Sequence, residues 1–243
     1  MKELLLKIIN VSIEAGKEIM QIYELDDFGI SFKEDNSPLT IADKAANAKI
    51  MTVLSTLEYP IISEENKLLE YSERKDWGKF WLVDPLDGTK EFINKNGQFT
   101  VNIALIENNV PILGVIYVPV QKELFFGVEN IGSYKISNIE SAFDNYNELI
   151  NLTIKLPSAK NKETFKVIAS KSHFSDETRA FVDSLKNKHS NLELINIGSS
   201  LKFCTIAEGK ADIYPRFGPT MEWDIAAGHA IVKYSGGTMI NAQ

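Results

Sequence analysis

Residues Phe80–Phe92 read FWLVDPLDGTKEF. Phe80, Trp81, Leu82 and Val83 run into Asp84 without a polar break, the pattern of a strand buried on both faces. The run then meets two acids, Asp84 and Asp87, with Pro85 between them and Gly88-Thr89 behind. A strand-to-turn junction needs one Asp or Asn. Two carboxylates held together repel unless something positive sits between them. A shell of carboxylate and carbonyl oxygens is what magnesium prefers, so a metal ion is the natural counter-charge. Pro85 fixes its own backbone angle, and a stiff turn is expected to bring Asp84, Asp87 and the Leu86 carbonyl near one point. Gly88-Thr89 are then expected to open a helix. Free N–H groups at a helix start bind phosphate, and glycine allows close approach. Acids for a metal beside donors for an anion point to metal-assisted cleavage of a phosphate ester.

Upstream, Leu4, Leu5, Ile8, Ile9, Ile13, Ile19 and Ile22 recur at helical spacing, which predicts an amphipathic helix over residues 2–24. A polar loop, FKEDNSPLT, follows. Thr40 with Asp43 forms a capping-box pattern that starts a second helix running to about Leu57. YPIISEEN is a short apolar run ending in Glu64-Glu65. Downstream, FTVNIALIENNVPILGVIYVP predicts two strands joined at Asn108-Asn109, and KELFFGV a third. From Glu129 to Lys162 no strong signal stands out, and a subdomain boundary is expected there. Beyond it strands and helices alternate. FKVIAS, LELINI and ADIYPR read as strands. Ser175–Lys186, Ser200–Glu208 (closed by Gly209) and EWDIAAGHAIVKYSGG read as helices.

The chain has 243 residues, 44% hydrophobic and 24% charged, ordinary values for one large or two small globular units. A net charge of −7 argues against a nucleic-acid backbone binder but not against a small anion, because bound cations reverse the local sign. A lone cysteine, Cys204, excludes an internal disulfide or a cysteine zinc cluster and fits a reducing cytoplasm. Lys7, Glu14, Lys17 and Glu18 interrupt the first residues, so no signal peptide is expected. No apolar run approaches the roughly 20 residues of a membrane helix.

Each acid also has an ordinary role open to it. Asp43 could be a helix cap alone, Asp87 an N-cap, Glu64-Glu65 a solvated pair, and Asp224 a first-turn acid favoured by the helix dipole. Four such places at strand and helix ends favour a shared site.

DPLDGT (Asp84–Thr89) resembles the Asp-Pro-(Ile/Leu)-Asp-Gly-(Thr/Ser) signature of the inositol monophosphatase superfamily. EWDIAAGHAIV resembles its second signature, Trp-Asp-x-Ala-Ala-Gly, and SEEN its acidic motif. Trp81–Pro119, Asn196–Thr220 and Asp35–Asp43 resemble the CysQ-type 3'(2'),5'-bisphosphate nucleotidase branch, which Lys90-Glu91 after Gly-Thr also favours. The resemblance implies an α/β chain with the sugar-phosphatase fold, a layered α/β/α/β/α sandwich. Its N-terminal subdomain, 1–150, would carry the main metal and phosphate site. Its C-terminal subdomain, 151–243, would carry Asp224 and the pocket for the rest of the nucleotide.

The same resemblance implies that Glu64, Asp84, the Leu86 carbonyl, Asp87 and Asp224 hold two or three Mg2+ ions, with Asp84 bridging. Gly88 and Thr89 would bind the scissile phosphate. Thr89, oriented by Asp43, would help activate the attacking water, with Glu65 as a helper. His173, Ser199, Lys202 and Arg216 would meet the other end of the substrate. Ser199 and Lys202 could instead be a cap and an exposed lysine, Arg216 the partner of an acid, and His173 a loop residue. His229 and Cys204 are expected to pack, and Trp223 to fix Asp224. The implied reaction takes adenosine 3',5'-bisphosphate, or 3'-phosphoadenylyl sulfate, in sulfur metabolism, with lithium inhibition. The implied protein is a cytoplasmic monomer, with peripheral contact at the inner face of the membrane as a further expectation. The rival readings are an inositol or sugar phosphate phosphatase and a non-catalytic nucleotide and metal sensor. Such relatives continue past the last helix with a strand or two. A chain stopping at GGTMINAQ is therefore expected to leave a sheet edge open.

Overall fold

Strand β4 (Lys79–Asp87), which contains the opening apolar run, lies inside a sheet whose two faces are both covered. The structure is a computed structural model, and it describes residues 1–25, 27–33, 37–67, 69–159, 164–169 and 175–241. In chain order the helices are α1 (Lys2–Tyr23), α2 (Ile41–Leu54), α3 (Tyr71–Arg74), α4 (Thr89–Ile93), α5 (Tyr146–Asn151), α6 (Asp176–Lys186), α7 (Leu201–Ala207) and α8 (Glu222–Tyr234). The other strands are β1 (Ser31–Phe32), β2 (Pro38–Leu39), β3 (Ile61–Ser63), β5 (Thr100–Glu107), β6 (Val110–Val118), β7 (Glu123–Val128), β8 (Gly132–Ile136), β9 (Ile154–Lys155), β10 (Phe165–Ala169) and β11 (Leu192–Asn196).

Among the described residues, β3 to β9 form a seven-stranded sheet in sequence order. Only its β3–β4 pair is parallel. Strand alternation divides its side chains between two cores. Trp81, Val83, Val101, Ile103, Val115 and Phe126 pack under α1 and α2. Leu82, Ala104, Ile116, Val118 and Phe125 pack under α7 and α8. Beyond those helices lies the parallel pair β10–β11, with α6 packed on it through Val182 and Leu185. The order is helices, sheet, helices, sheet, helix, the layered α/β/α/β/α sandwich.

Helix α8 sits unusually low on the large sheet. Gly114 and Gly127 are paired across β6 and β7. A Cβ on Gly114 would fall 2.4 Å from the Ala227 carbonyl oxygen, and one on Gly127 2.6 Å from the Ile231 Cα. The helix backbone rests where those side chains would be.

Most expected elements are present. The first two helices, the Thr40 capping box and the Asn108-Asn109 hairpin are all found. Both asparagines have positive φ, as a two-residue hairpin loop requires. Helix α2 ends at Leu54, three residues short of the expected end. ADIYPR is not a strand: Ile213 makes a single bridge to Val167. Pro215 follows two residues later and has no N–H to extend a ladder. The weakly patterned stretch from Glu129 holds β8, α5 and β9, and β9 completes the large sheet past residue 150. No helix among the described residues is long and apolar enough to cross a membrane.

Candidate active site

Residues three apart on a regular strand point to opposite faces. Asp84 and Asp87 avoid this because β4 is bulged between them. Asp84 pairs with Asn102 and Asp87 with Thr100, so four residues of β4 lie against three of β5. The extra residue returns Asp87 to the face of Asp84. The expected stiff turn is therefore a strand bulge. Its sharp change of direction comes one residue later, at Gly88, where φ is +94°. A Cβ there would lie 3.0 Å from the Gln98 carbonyl oxygen and 3.2 Å from the Ser199 Cβ, so both conformation and space favour glycine. Helix α4 then starts at Thr89 but lasts only five residues.

Glu64 at the end of β3, Asp84 and Asp224 each bring a carboxylate oxygen within 4.8 Å of the other two. Asp84 is 1% exposed and has no cationic partner among the described residues. Burial raises its carboxyl well above the usual range, and the nearby charges of Glu64, Asp87 and Asp224 add to this. Asp224 is raised by burial and by Asp87, against hydrogen bonds from the Met221 N–H (3.1 Å) and the Thr220 hydroxyl (2.9 Å). Crowded carboxylates short of positive charge fit a divalent cation. Lys33 supplies part of what is missing. Its Nζ donates to Glu64 at 2.7 Å and to Glu65 at 2.6 Å. Burial opposes the Lys33 charge, but the two glutamates outweigh it and hold its pKa up.

Asp43 does two jobs with its two oxygens. Oδ2 accepts the Thr40 N–H (2.7 Å) and hydroxyl (2.6 Å), and Oδ1 accepts the Thr89 hydroxyl at 3.1 Å. The capping role and the contact with Thr89 coexist. Asp43 is 2% exposed, and burial raises its pKa despite those hydrogen bonds. Glu65 is raised by burial too, with Lys33 pulling the other way.

Asp87 turns Oδ2 toward the α7 side, where it accepts the Ser199 (2.9 Å) and Ser200 (2.7 Å) hydroxyls. Behind them on β5, Thr100 lies 2.7 Å from Ser199, and the Asn102 amide donates to Ser200 at 2.9 Å. Ser199 holds φ at +52°, and the preceding Gly198 N–H is anchored on the Gln98 side chain at 2.7 Å. Lys202 is not an exposed lysine but 7% exposed, beside the Tyr214 ring. Burial pushes its pKa down, Arg216 adds to that, and Asp87, Glu91 and Asp224 resist. Arg216 donates to the Pro219 carbonyl at 2.6 Å rather than to an acid.

One cavity of about 370 Å³ is lined by Glu64, Asp87, Gly88, Thr89, Ser199, Lys202, Arg216 and Asp224, eight of the residues singled out from the sequence. Asp84 and Asp43 lie buried, Glu65 is held by Lys33, and the Leu86 carbonyl is 3.5 Å from the Thr89 hydroxyl. His173 lies outside the described residues. Trp223 and Cys204 pack in the second core, as expected, and His229 is half-buried. The sequence reading passed over Lys33, Gln98, Thr100, Asn102 and Ser200. Thr100 and Asn102 did carry a signal: two polar residues at strand spacing on one face of an otherwise apolar run.

The inositol monophosphatase family model matches residues 1–243. The 3'(2'),5'-bisphosphate nucleotidase CysQ of Salmonella typhimurium is 41% identical over 233 residues, covering 95% of this chain and 87% of that protein. The protein of that name from Buchnera aphidicola is 43% identical over 239 residues, covering 97% and 83%. The crystal structure of CysQ from Bacteroides thetaiotaomicron, described as a bacterial member of the inositol monophosphatase family, matches with a TM-score of 0.90 and 49% identity, covering 97% and 88%. The suhB protein of Bartonella henselae shares the fold, with a TM-score of 0.73 at 23% identity over 95% of this chain and 84% of that one. With Glu64, Asp87 and Asp224 in one cavity, Asp84 buried within reach of Glu64 and Asp224, and the match running end to end, the chain belongs to the inositol monophosphatase family.

Proposed function

We propose that this protein is a magnesium-dependent 3'(2'),5'-bisphosphate nucleotidase, a phosphoric monoester hydrolase that converts adenosine 3',5'-bisphosphate to AMP and phosphate. One observation carries the reading: Glu64 and Asp224 of the acid cluster line the same cavity as three cationic side chains, Lys90, Lys202 and Arg216. A monophosphate needs only the acid end with its metals. A second phosphate gives the buried Lys202 charge a partner. The activity named for the Salmonella and Buchnera relatives supports the same substrate.

Two or three magnesium ions held by Glu64, Asp84, the Leu86 carbonyl, Asp87 and Asp224 would supply charge to polarise the phosphoryl oxygens and acidify a water. The remaining work belongs to the chain. Gly88 and Thr89 would present N–H groups to the phosphate, with Gly88 leaving room for it. The Thr89 hydroxyl already donates to Asp43. It can therefore take a proton from water on its oxygen while passing its own to Asp43. Burial has raised the pKa of Asp43, which makes it a better acceptor than an exposed aspartate. Glu65 would assist from beside Glu64. Lys202, Arg216 and His173 would hold the nucleotide end, and Ser199, whose hydroxyl is engaged by Asp87, would meet it through its main chain alone. We further propose a monomer in the cytoplasm, the compartment on the strength of its single cysteine.

The test is phosphate release from adenosine 3',5'-bisphosphate and from inositol 1-phosphate, in magnesium, with and without lithium. Preference for the nucleotide, suppressed by lithium, is expected. Preference for inositol phosphate would keep the metal chemistry and overturn the substrate. Release from neither would overturn the enzymatic reading.

A further inference from the structure

Thr100 and Asn102 are fully buried polar residues in the middle of a sheet, and neither lines the cavity. Burying a hydroxyl and an amide costs free energy unless hydrogen bonds repay it. Here the bonds that leave the pair, to Ser199 and Ser200, lead toward Asp87. Ser199 and Ser200 have one hydroxyl proton each, and both hydroxyls lie within hydrogen-bond reach of Asp87 Oδ2. With the Ser199 proton so engaged, the 2.7 Å Thr100–Ser199 contact must be donated by Thr100. Thr100 is also 2.9 Å from the Asn102 carbonyl oxygen, so its single proton serves two acceptors. Asn102 donates its amide N–H to Ser200. The Ser200 proton is likewise shared between two acceptors, Asp87 Oδ2 at 2.7 Å and the Asp224 backbone carbonyl at 3.0 Å, which ties the network to the start of α8.

We infer that Thr100 and Asn102 are positioning residues for Asp87, acting through Ser199 and Ser200. Two hydrogen-bond chains, Thr100 to Ser199 to Asp87 and Asn102 to Ser200 to Asp87, converge on Oδ2. They occupy one carboxylate oxygen and leave Oδ1, which accepts no hydrogen bond among the described residues, available to a metal ion. The bulge sets both acids beside the same two β5 residues. Thr100 is the backbone partner of Asp87 and Asn102 that of Asp84, so the same two β5 residues fix the acids by main chain and by side chain. Partners of metal ligands commonly set affinity by holding the ligand in one orientation.

The inference rests on Asp87 being a metal ligand, and the experiment separates the two claims. Mn2+ binding is measured by titration calorimetry on substrate-free protein, for Asp87→Asn, Thr100→Val, Asn102→Leu and Ser200→Ala, with folding checked by circular dichroism. Asp87→Asn should weaken binding strongly; unchanged binding there refutes the ligand reading itself. If Asp87→Asn weakens binding, each folded variant of the other three should raise the Mn2+ dissociation constant by about 10- to 100-fold. Thr100→Ser, which keeps the hydroxyl, should restore it. Adding Thr100→Val to Asp87→Asn should then have no further effect, because the two changes cut one chain. Wild-type Mn2+ affinity in a folded Thr100→Val or Ser200→Ala protein would overturn the inference. So would an additive double variant.

Discussion

Replacing Asp84 by Asn tests whether the acid cluster is built for a cation or is merely tolerated. Asp84 lies within 4.8 Å of carboxylate oxygens of Glu64 and Asp224. At an effective dielectric near 20, each ionised pair at that distance costs about 3.5 kcal/mol. Asp84 enters two such pairs. Lys33 neutralises part of Glu64, and protonation relieves part of the rest. A gain on the order of 2 kcal/mol for the metal-free Asp84→Asn protein is what remains. In a domain of this size that is about 4–8 °C in Tm. Magnesium acts in the opposite sense. At 100 times its Kd it stabilises wild type by about 2.7 kcal/mol, or about 5–11 °C, and the variant should lose most of that shift. The assay is thermal unfolding in EDTA and in magnesium, at several pH values. The folded pKa of Asp84 is raised, so folded protein holds its proton above the pH at which unfolded chain releases it. Metal-free wild type should therefore lose stability as pH climbs from the unfolded-chain carboxylate value near 3.8 through the raised folded value. Asp84→Asn should flatten that decline. A variant less stable than wild type in EDTA, yet still shifted fully by magnesium, would refute the reasoning.

Three more outcomes are expected. Thr89→Val removes the hydroxyl next to Asp43 and should cut kcat by about 10²- to 10⁴-fold while leaving Mn2+ affinity intact; an activity loss matched by lost metal binding would place Thr89 among the ligands instead. Lys202→Ala should raise KM for the bisphosphate and spare slow hydrolysis of a simple monoester, and equal losses on both would remove Lys202 from the nucleotide end. Gly114→Ala sets a methyl group against the α8 backbone and should cost about 1–3 kcal/mol in urea unfolding; a neutral change would mean that the helix can lift freely from the sheet.

The large sheet was legible because its strands are apolar on both faces and its hairpin carries Asn108-Asn109, whose side chains tolerate positive φ. The capping box at Thr40 was legible for the same local reason. The short strands β8 and β9 were not. Gly132–Ile136 is short and polar in sequence although Ser133, Lys135 and Ile136 are buried in the fold, and β9 is two exposed residues paired with β8. Such an edge exists because its neighbour does, which no local pattern encodes. The site divides in the same way. Asp84, Asp87, Thr89 and Asp224 stand in conspicuous motifs. Lys33 comes from a polar loop that gave no reason to place it against Glu64 and Glu65. Ser199 was legible as a residue but not in its orientation. A reader of the sequence aims it at the substrate, whereas its hydroxyl is committed to Asp87.

Two departures from regular geometry decide whether the acids meet at all. Without the β4 bulge, Asp84 and Asp87 would face opposite cores, and Asp87 would point into the apolar layer beneath α1 and α2. Without small residues on the other face, Asp224 would stand off the sheet. It occupies the third position of α8, and the height of that helix is set farther along, where Ala227, Ala230 and Ile231 rest on Gly114 and Gly127. A helix propped up by two methyl groups would carry its N-terminus away from Asp84, and a displacement of about 1 Å at a reacting centre can cost on the order of 10²-fold in rate. The glycine pair lies outside the motifs that announce the chemistry and touches no acid. It nonetheless helps set the distance between acids from the two halves of the chain, and so belongs to the metal site as much as to the core.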